Sequence, residues 1–247
     1  MKKYVILILC SLLSLLVVLS ACSSDRMIET SADELWEYTL LHDDTVKITK
    51  YLGDKSTVSV PESISSFTVS TIGAQAFAGT ESLVEVLIPK TISSIEEGAF
   101  NDCINLSHIL LSCHKLQPCS RNGTFLRAGT NTENGMSVTV REEVTCIPDY
   151  FFYSGKDADR AKIDGIVFGT ESNDDSIDEI GAYAFGNCSI KSITFLGNPP
   201  LKIDDTAFYN TNVSINYSAY SDIWDSFIKK TYGGNVSYFS FFIDGKS

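Results

Sequence analysis

The chain has 247 residues, 44% hydrophobic, 20% charged and 11% aromatic, the composition of a globular chain long enough for one large domain or two ordinary ones. Its 31 Asp+Glu against 19 Lys+Arg give a formal charge of −12, which opposes binding to a phosphate backbone and argues against nucleic acid as a partner. Three histidines, His42, His108 and His114, leave little material for histidine-based catalysis or a multi-histidine metal site.

The first predicted element is an N-terminal address. Lys2 and Lys3 precede an uncharged run from Tyr4 to Leu19, shorter than the roughly 20 apolar residues that span a bilayer as a helix. Basic, apolar and small-residue regions in that order read as a secretory signal over residues 1–21. Leu19-Ser20-Ala21-Cys22 resembles the lipobox of bacterial lipoproteins. That resemblance implies lipidation at Cys22: the thiol accepts a diacylglyceryl group, and the protein is anchored to the membrane surface without crossing it. Residues 22–36 are expected to form the lipidated N-terminus and a polar tether.

From there the chain repeats itself. Val86, Ile88, Ile92, Ile95 and Phe100 are spaced by 2, 4, 3 and 5, and Val138, Val140, Val144, Ile147 and Phe152 give the same spacings. The closing Ile-(x4)-Phe step recurs at Ile72–Phe77, Ile180–Phe185 and Ile203–Phe208. The opening step recurs as Leu83-x-x-Val86-x-Ile88, Leu106-x-x-Ile109-x-Leu111 and Ile190-x-x-Ile193-x-Phe195. Phe77 to Phe100 and Phe185 to Phe208 are both steps of 23 residues. Two units carry insertions, one between Ile64 and Ile72 and an acidic one (Ser172 to Asp175) before Ile180.

Such spacing predicts a solenoid. Residues two apart point to one face of a short strand, Pro89 ends that strand, and the remaining apolar positions lie on successive sides of one coil. A single coil cannot bury its own apolar side chains, so each packs on its equivalent in the next. Ala76, Ala99, Ala184 and Ala207 are small where the chain turns inward beside the phenylalanine.

IGAQAFAGTESLVEVLIPKTISSIEEGAFNDCINL resembles the BspA-like leucine-rich repeats of bacterial surface proteins, as do Ile180-Gly181-Ala182-Tyr183-Ala184-Phe185 and a Cys three residues after the Phe at Cys103 and Cys188. Tyr38 to Gly53 is similar to that family's N-terminal lead-in, and Gly123 to Val140 to a loop-and-strand insert between its repeats. The fold implied is a leucine-rich-repeat solenoid of short parallel strands with coils of about 23 residues over 37–216, closed by a C-terminal cap over 217–247. The resemblance implies a location at the cell surface and, for some members, adhesion to matrix proteins or other microbes. It carries no catalytic motif and no cofactor.

Of seven cysteines, Cys10 belongs to the signal and Cys22 to the anchor. Cys103 and Cys188 read as small buried hydrophobes, while Cys113, Cys119 and Cys146 are candidates for a disulfide, with unpaired thiols as the alternative. Cys113-His114-(x4)-Cys119 lacks the tighter spacing of zinc sites, so no metal is expected. There is no G-x-S-x-G or H-E-x-x-H motif, and Asp204 and Asp205 are adjacent, a poor placement for an acid/base pair. No enzyme is expected.

The C-terminal aromatics, Tyr217, Tyr220, Trp224, Phe227, Tyr232, Tyr238, Phe239, Phe241 and Phe242, read as the cap that covers the last coil, with a short helix over 220–230 and a ligand platform as the alternative. Taken together, the expectation is a non-enzymatic envelope lipoprotein, facing outward, whose repeat surface binds a protein or glycan. The alternative is a scaffold or accessory subunit of an envelope complex.

Overall fold

A computed structural model describes residues 27–141, 143–156, 159–169, 177–218 and 222–241. The signal, Cys22 and the acidic stretch Ser172 to Asp175 lie outside the described residues.

The fold is a solenoid built on one long parallel sheet. Its eight strands run in the order β17-β16-β14-β12-β10-β9-β7-β4: β4 (Thr57–Ser59), β7 (Glu85–Ile88), β9 (His108–Leu111), β10 (Met136–Val140), β12 (Lys162–Phe168), β14 (Ser189–Phe195), β16 (Asn212–Ser218) and β17 (Asn235–Phe241). Every neighbouring pair in it is parallel. Several coils carry a two-residue strand on the other side. β11 (Cys146–Ile147), β13 (Glu179–Ile180) and β15 (Lys202–Ile203) form a second, three-stranded parallel sheet.

The alternation of these sequences explains their pairing. Val86 and Ile88 point inward from β7, as Ile109, Val138, Val140 and Ile193 do from their own strands, and all are buried. Ile72, Ile92, Ile95, Ile147, Ile180 and Ile203 fill the opposite wall. Phe77, Phe100, Phe152, Phe185 and Phe208 stand in line at the turn, each at most 1% exposed.

The ring column is longer than the repeats read from sequence. It starts at Tyr51, runs through Phe77, Phe100, Phe125, Phe152, Phe185 and Phe208, and ends edge-on at Tyr232, with successive centroids 4.9–6.2 Å apart. Phe125 belongs to the stretch read as an insert, which therefore contributes a full coil. At about 1.5–3 kcal/mol per buried large side chain, this column is a main source of cohesion between coils. The backbone reinforces it: Phe77 N donates to Ala99 O at 2.8 Å, Phe100 N to Thr124 O at 3.0 Å and Phe185 N to Ala207 O at 2.9 Å.

Both ends are modified. At the N-terminus β1 (Glu29–Thr30), β2 (Trp36–Leu40) and β3 (Val46–Tyr51) pair antiparallel, and β3 joins β6 (Phe67–Ile72) in parallel. Glu29 and Thr30, placed in the tether by the sequence, are thus part of the folded body. The insertion before Ile72 is a hairpin of β5 (Ser63–Ile64) with β6, turned by Ser65 and Ser66 at φ +50° and +72°. β8 (Ser94–Ile95) extends β6 on its other side.

At the C-terminus, Trp224 on a 3-10 turn (Asp222–Ser226) covers Phe195 and Tyr217 at 5.2 and 5.0 Å. β17 then adds a further parallel strand to the sheet, with Phe239 54% exposed. Among the described residues this 3-10 turn stands where a short helix was expected. No helix among them is long and apolar enough to cross a membrane.

Candidate binding surface on the parallel sheet

Because side chains alternate along a strand, burying one set aims the other outward. Register joins these outward residues into two rows. The first is Thr57, Glu85, His108, Ser137, Gly165, Ser192, Ser214 and Ser237. The second is Ser59, Leu87, Leu110, Thr139, Val167, Thr194, Asn216 and Phe239. None of the sixteen is buried.

The rows differ in chemistry. The first is polar, and from Ser137 to Ser237 it is short as well, so a partner can approach that part of the sheet closely. The second carries Leu87 and Leu110 side by side, with Ser59 and Thr139 flanking them, an apolar centre with a polar border of the kind protein interfaces use. A cleft of about 290 Å³ opens beside the two leucines, lined also by Glu62, Lys90, Arg141 and Glu143. Farther along, Lys191 pairs with Asp164 at 2.7 Å, an exposed ion pair of small energetic weight.

The five cysteines among the described residues are all free thiols. No disulfide joins Cys113, Cys119 and Cys146: Cys119 Sγ instead donates to Ile95 O at 3.6 Å. Burial pushes the Cys113 thiol up to about 12 and that of Cys119 to about 11, and it raises Cys146 as well, which keeps these groups protonated and poor as nucleophiles or metal ligands.

Cys103 and Cys188 are buried as the repeat position implies, yet they are more than hydrophobes. Cys103 Sγ donates to Phe77 O and Cys188 Sγ to Phe152 O, each on the preceding coil. Thr211 does the same to Phe185 O with its hydroxyl at 2.6 Å. In these three coils the position carries a small donor, a role that spacing alone does not reveal.

Asp204 accepts the hydroxyl and amide of Thr206, and the hydroxyl contact holds its carboxyl below the usual range; its role is to fasten a turn. Among the described residues no three His, Cys, Asp or Glu side chains gather as metal ligands.

The family model for the BspA-type leucine-rich repeat region matches residues 55–157 and 170–228, in six copies. The chain belongs to this family. Among solved structures it is similar to a leucine-rich repeat protein of T. pallidum (TpLRR), at 18% identity, with 86% of each chain covered and a TM-score of 0.40. It is also similar to a leucine-rich cell surface protein of Faecalibacterium prausnitzii, at 18% identity over 79% of this chain and 72% of that one, with a TM-score of 0.36. A leucine-rich repeat protein of Bacteroides capillosus is matched at 18% identity over 72% of this chain and 94% of that one, with a TM-score of 0.31. Comparison with curated proteins finds no match.

The outward rows could not be read from sequence, because outward positions are free to vary and only register shows which of them meet. The run from Gly123 to Val140 hid a coil because Ser120 stands where other units carry isoleucine, five residues before the phenylalanine.

Proposed function

We propose that this BspA-type repeat protein is a non-enzymatic envelope lipoprotein, held by diacylglyceryl-Cys22 and facing outward, that binds a protein partner in an adhesion-type role. The observation that carries this is the outward face of the eight-stranded sheet, where Leu87 and Leu110 sit in register inside a polar border. The leucines supply area that loses water on contact, and the small polar neighbours let a flat partner reach them. Anchoring at Cys22 leaves only a few residues between the acyl chains and β1, so the solenoid would stand close to the membrane with its sheet open to approach.

Cells displaying the full chain are compared with cells displaying its Leu87→Lys, Leu110→Lys double variant for adhesion to immobilised fibronectin, fibrinogen and laminin. Wild-type cells are expected to adhere to at least one of them, and the variant to lose about tenfold or more at equal surface level. Equal adhesion by both removes the sheet face as the binding surface. Wild-type binding to none, together with envelope proteins crosslinked to the same face, would support the scaffold alternative.

A further inference from the structure

At the turn that follows the short strands, two positions recur, two residues before and one residue after the stacked phenylalanine. Gly98 and Asn101 show what an ordinary coil places there. Around Phe152, Phe185 and Phe208 the same positions converge on tyrosine. Tyr150 and Tyr183 stack at 5.3 Å with planes 7° from parallel, and Tyr153 stands edge-on to both at 5.3 and 6.2 Å. Tyr209, 48% exposed, meets Tyr183 steeply inclined at 5.4 Å. With Arg121, whose guanidinium lies 5.3 Å from the Tyr150 ring centre, they line an open cleft of about 340 Å³.

Tyr150 and Tyr183 take the left-handed backbone, φ +61° and +53°, that this turn position also has at Gln75, Gly98 and Gly123. Two observations set this cleft apart from routine surface packing. Gly186, one residue after Phe185, has no positive φ that would require glycine. A Cβ there would press to 3.0 Å from Tyr153 Cδ2 and 3.3 Å from Tyr183 Cβ, so its missing side chain is what leaves the cleft open. Arg121 has no carboxylate partner among the described residues, whereas Arg127 is clamped between Asp102 and Asp159.

The flanking carboxylates are engaged elsewhere: Glu97 accepts from Ser120 and Asn122, and Asp149 accepts from the Ala182 amide. Among the described residues no hydrogen bond reaches the hydroxyls of the four tyrosines.

We propose that this cleft is a carbohydrate site for a sugar bearing a single carboxylate. A pyranose ring has an apolar C–H face that stacks on a phenol ring and a rim of hydroxyls that hydrogen-bond the phenolic oxygens. The free guanidinium takes the carboxylate through paired, charge-assisted hydrogen bonds. One arginine in a chain of net charge −12 selects a monoanion and repels a polyanion. None of the cleft residues belongs to the eight-stranded sheet, so the site stands independently of the protein-binding face.

The test is calorimetric titration of the full-length chain in detergent with sialyllactose against lactose, and with monomeric galacturonate against its methyl ester. At least one acid probe is expected to bind about tenfold or more tightly than its neutral counterpart, and which one does so separates a sialic from a uronic source. Heparin is expected to bind no tighter. Arg121→Gln should erase the acid-to-neutral difference. Tyr183→Asn, which suits the left-handed backbone, and Gly186→Val, which fills the cleft, should each abolish binding, the first with thermal stability unchanged. The Leu87→Lys, Leu110→Lys variant should bind sugar normally. No binding of either acid probe at millimolar concentration, equal binding of acid and neutral forms, or binding that survives Tyr183→Asn overturns the proposal.

Discussion

Phe77 and Phe100 lie face to face, ring centroids 4.9 Å apart and planes 16° from parallel, although 23 positions separate them in the chain. Phe100 meets Phe125 in the same way on its other side, at 5.1 Å and 5°. The repeat length is therefore a packing rule: one circuit of the coil returns the chain to the point where a ring can cover the ring before it.

Removing one ring from this column opens a cavity with neighbours on both sides that cannot collapse into it. Phe100→Ala is expected to cost about 3–5 kcal/mol, read as a lower urea midpoint. Phe100→Leu, which keeps most of the volume, is expected to cost clearly less. Equal loss for the two would mean that the column contributes by backbone pairing alone.

The hydrogen bond from Cys188 to Phe152 O predicts an ordering of substitutions. Among the described residues Phe152 O accepts no other hydrogen bond, and Thr211 fills the equivalent position one coil later with a hydroxyl. Cys188→Thr should stay close to wild type, while Cys188→Val, of similar size but without a donor, should lose about 1–3 kcal/mol. Chemical denaturation of the two variants decides it. If valine is as good as threonine, the position is only a small apolar one.

The buried thiols also set a pH dependence. Burial raises the folded thiols of Cys103 and Cys113 from 9.0 to about 12, so between those values the native chain holds protons that the unfolded chain has released. Stability from these groups is complete below about pH 9 and falls as pH rises toward 12. The urea midpoint should drop between pH 8 and 10.5, and Cys103→Thr should lessen the drop. At pH 8 a thiol reagent should label none of Cys103, Cys113, Cys119, Cys146 and Cys188 in the native state, but all five in denaturant. Rapid native labelling would contradict the burial.

The solenoid was legible because its core obeys a period: Ile92, Ile95 and Phe100 must recur for each coil to cover the next. What escaped the sequence lacks a period. Tyr150, Tyr183 and Tyr209 are spaced irregularly and meet only because three coils stack, and Gly186 matters for a side chain it does not have. Cys103 and Cys188 read as hydrophobes because the carbonyls they bond belong to other coils. β17 was hidden in an aromatic run whose alternation, with Val236 and Tyr238 turned partly inward, is that of a strand as much as a cap.

Outward display and attachment at Cys22 are both tested by protease shaving of intact cells. Cells making the full chain, and cells making Cys22→Ser, are treated with protease and blotted for this protein beside a cytoplasmic control. The wild-type chain is expected to be clipped while the control survives, and Cys22→Ser protein to leave the membrane fraction. A wild-type chain that stays intact until the envelope is permeabilised would contradict outward display, and a Cys22→Ser chain that remains membrane-bound would contradict the lipid anchor.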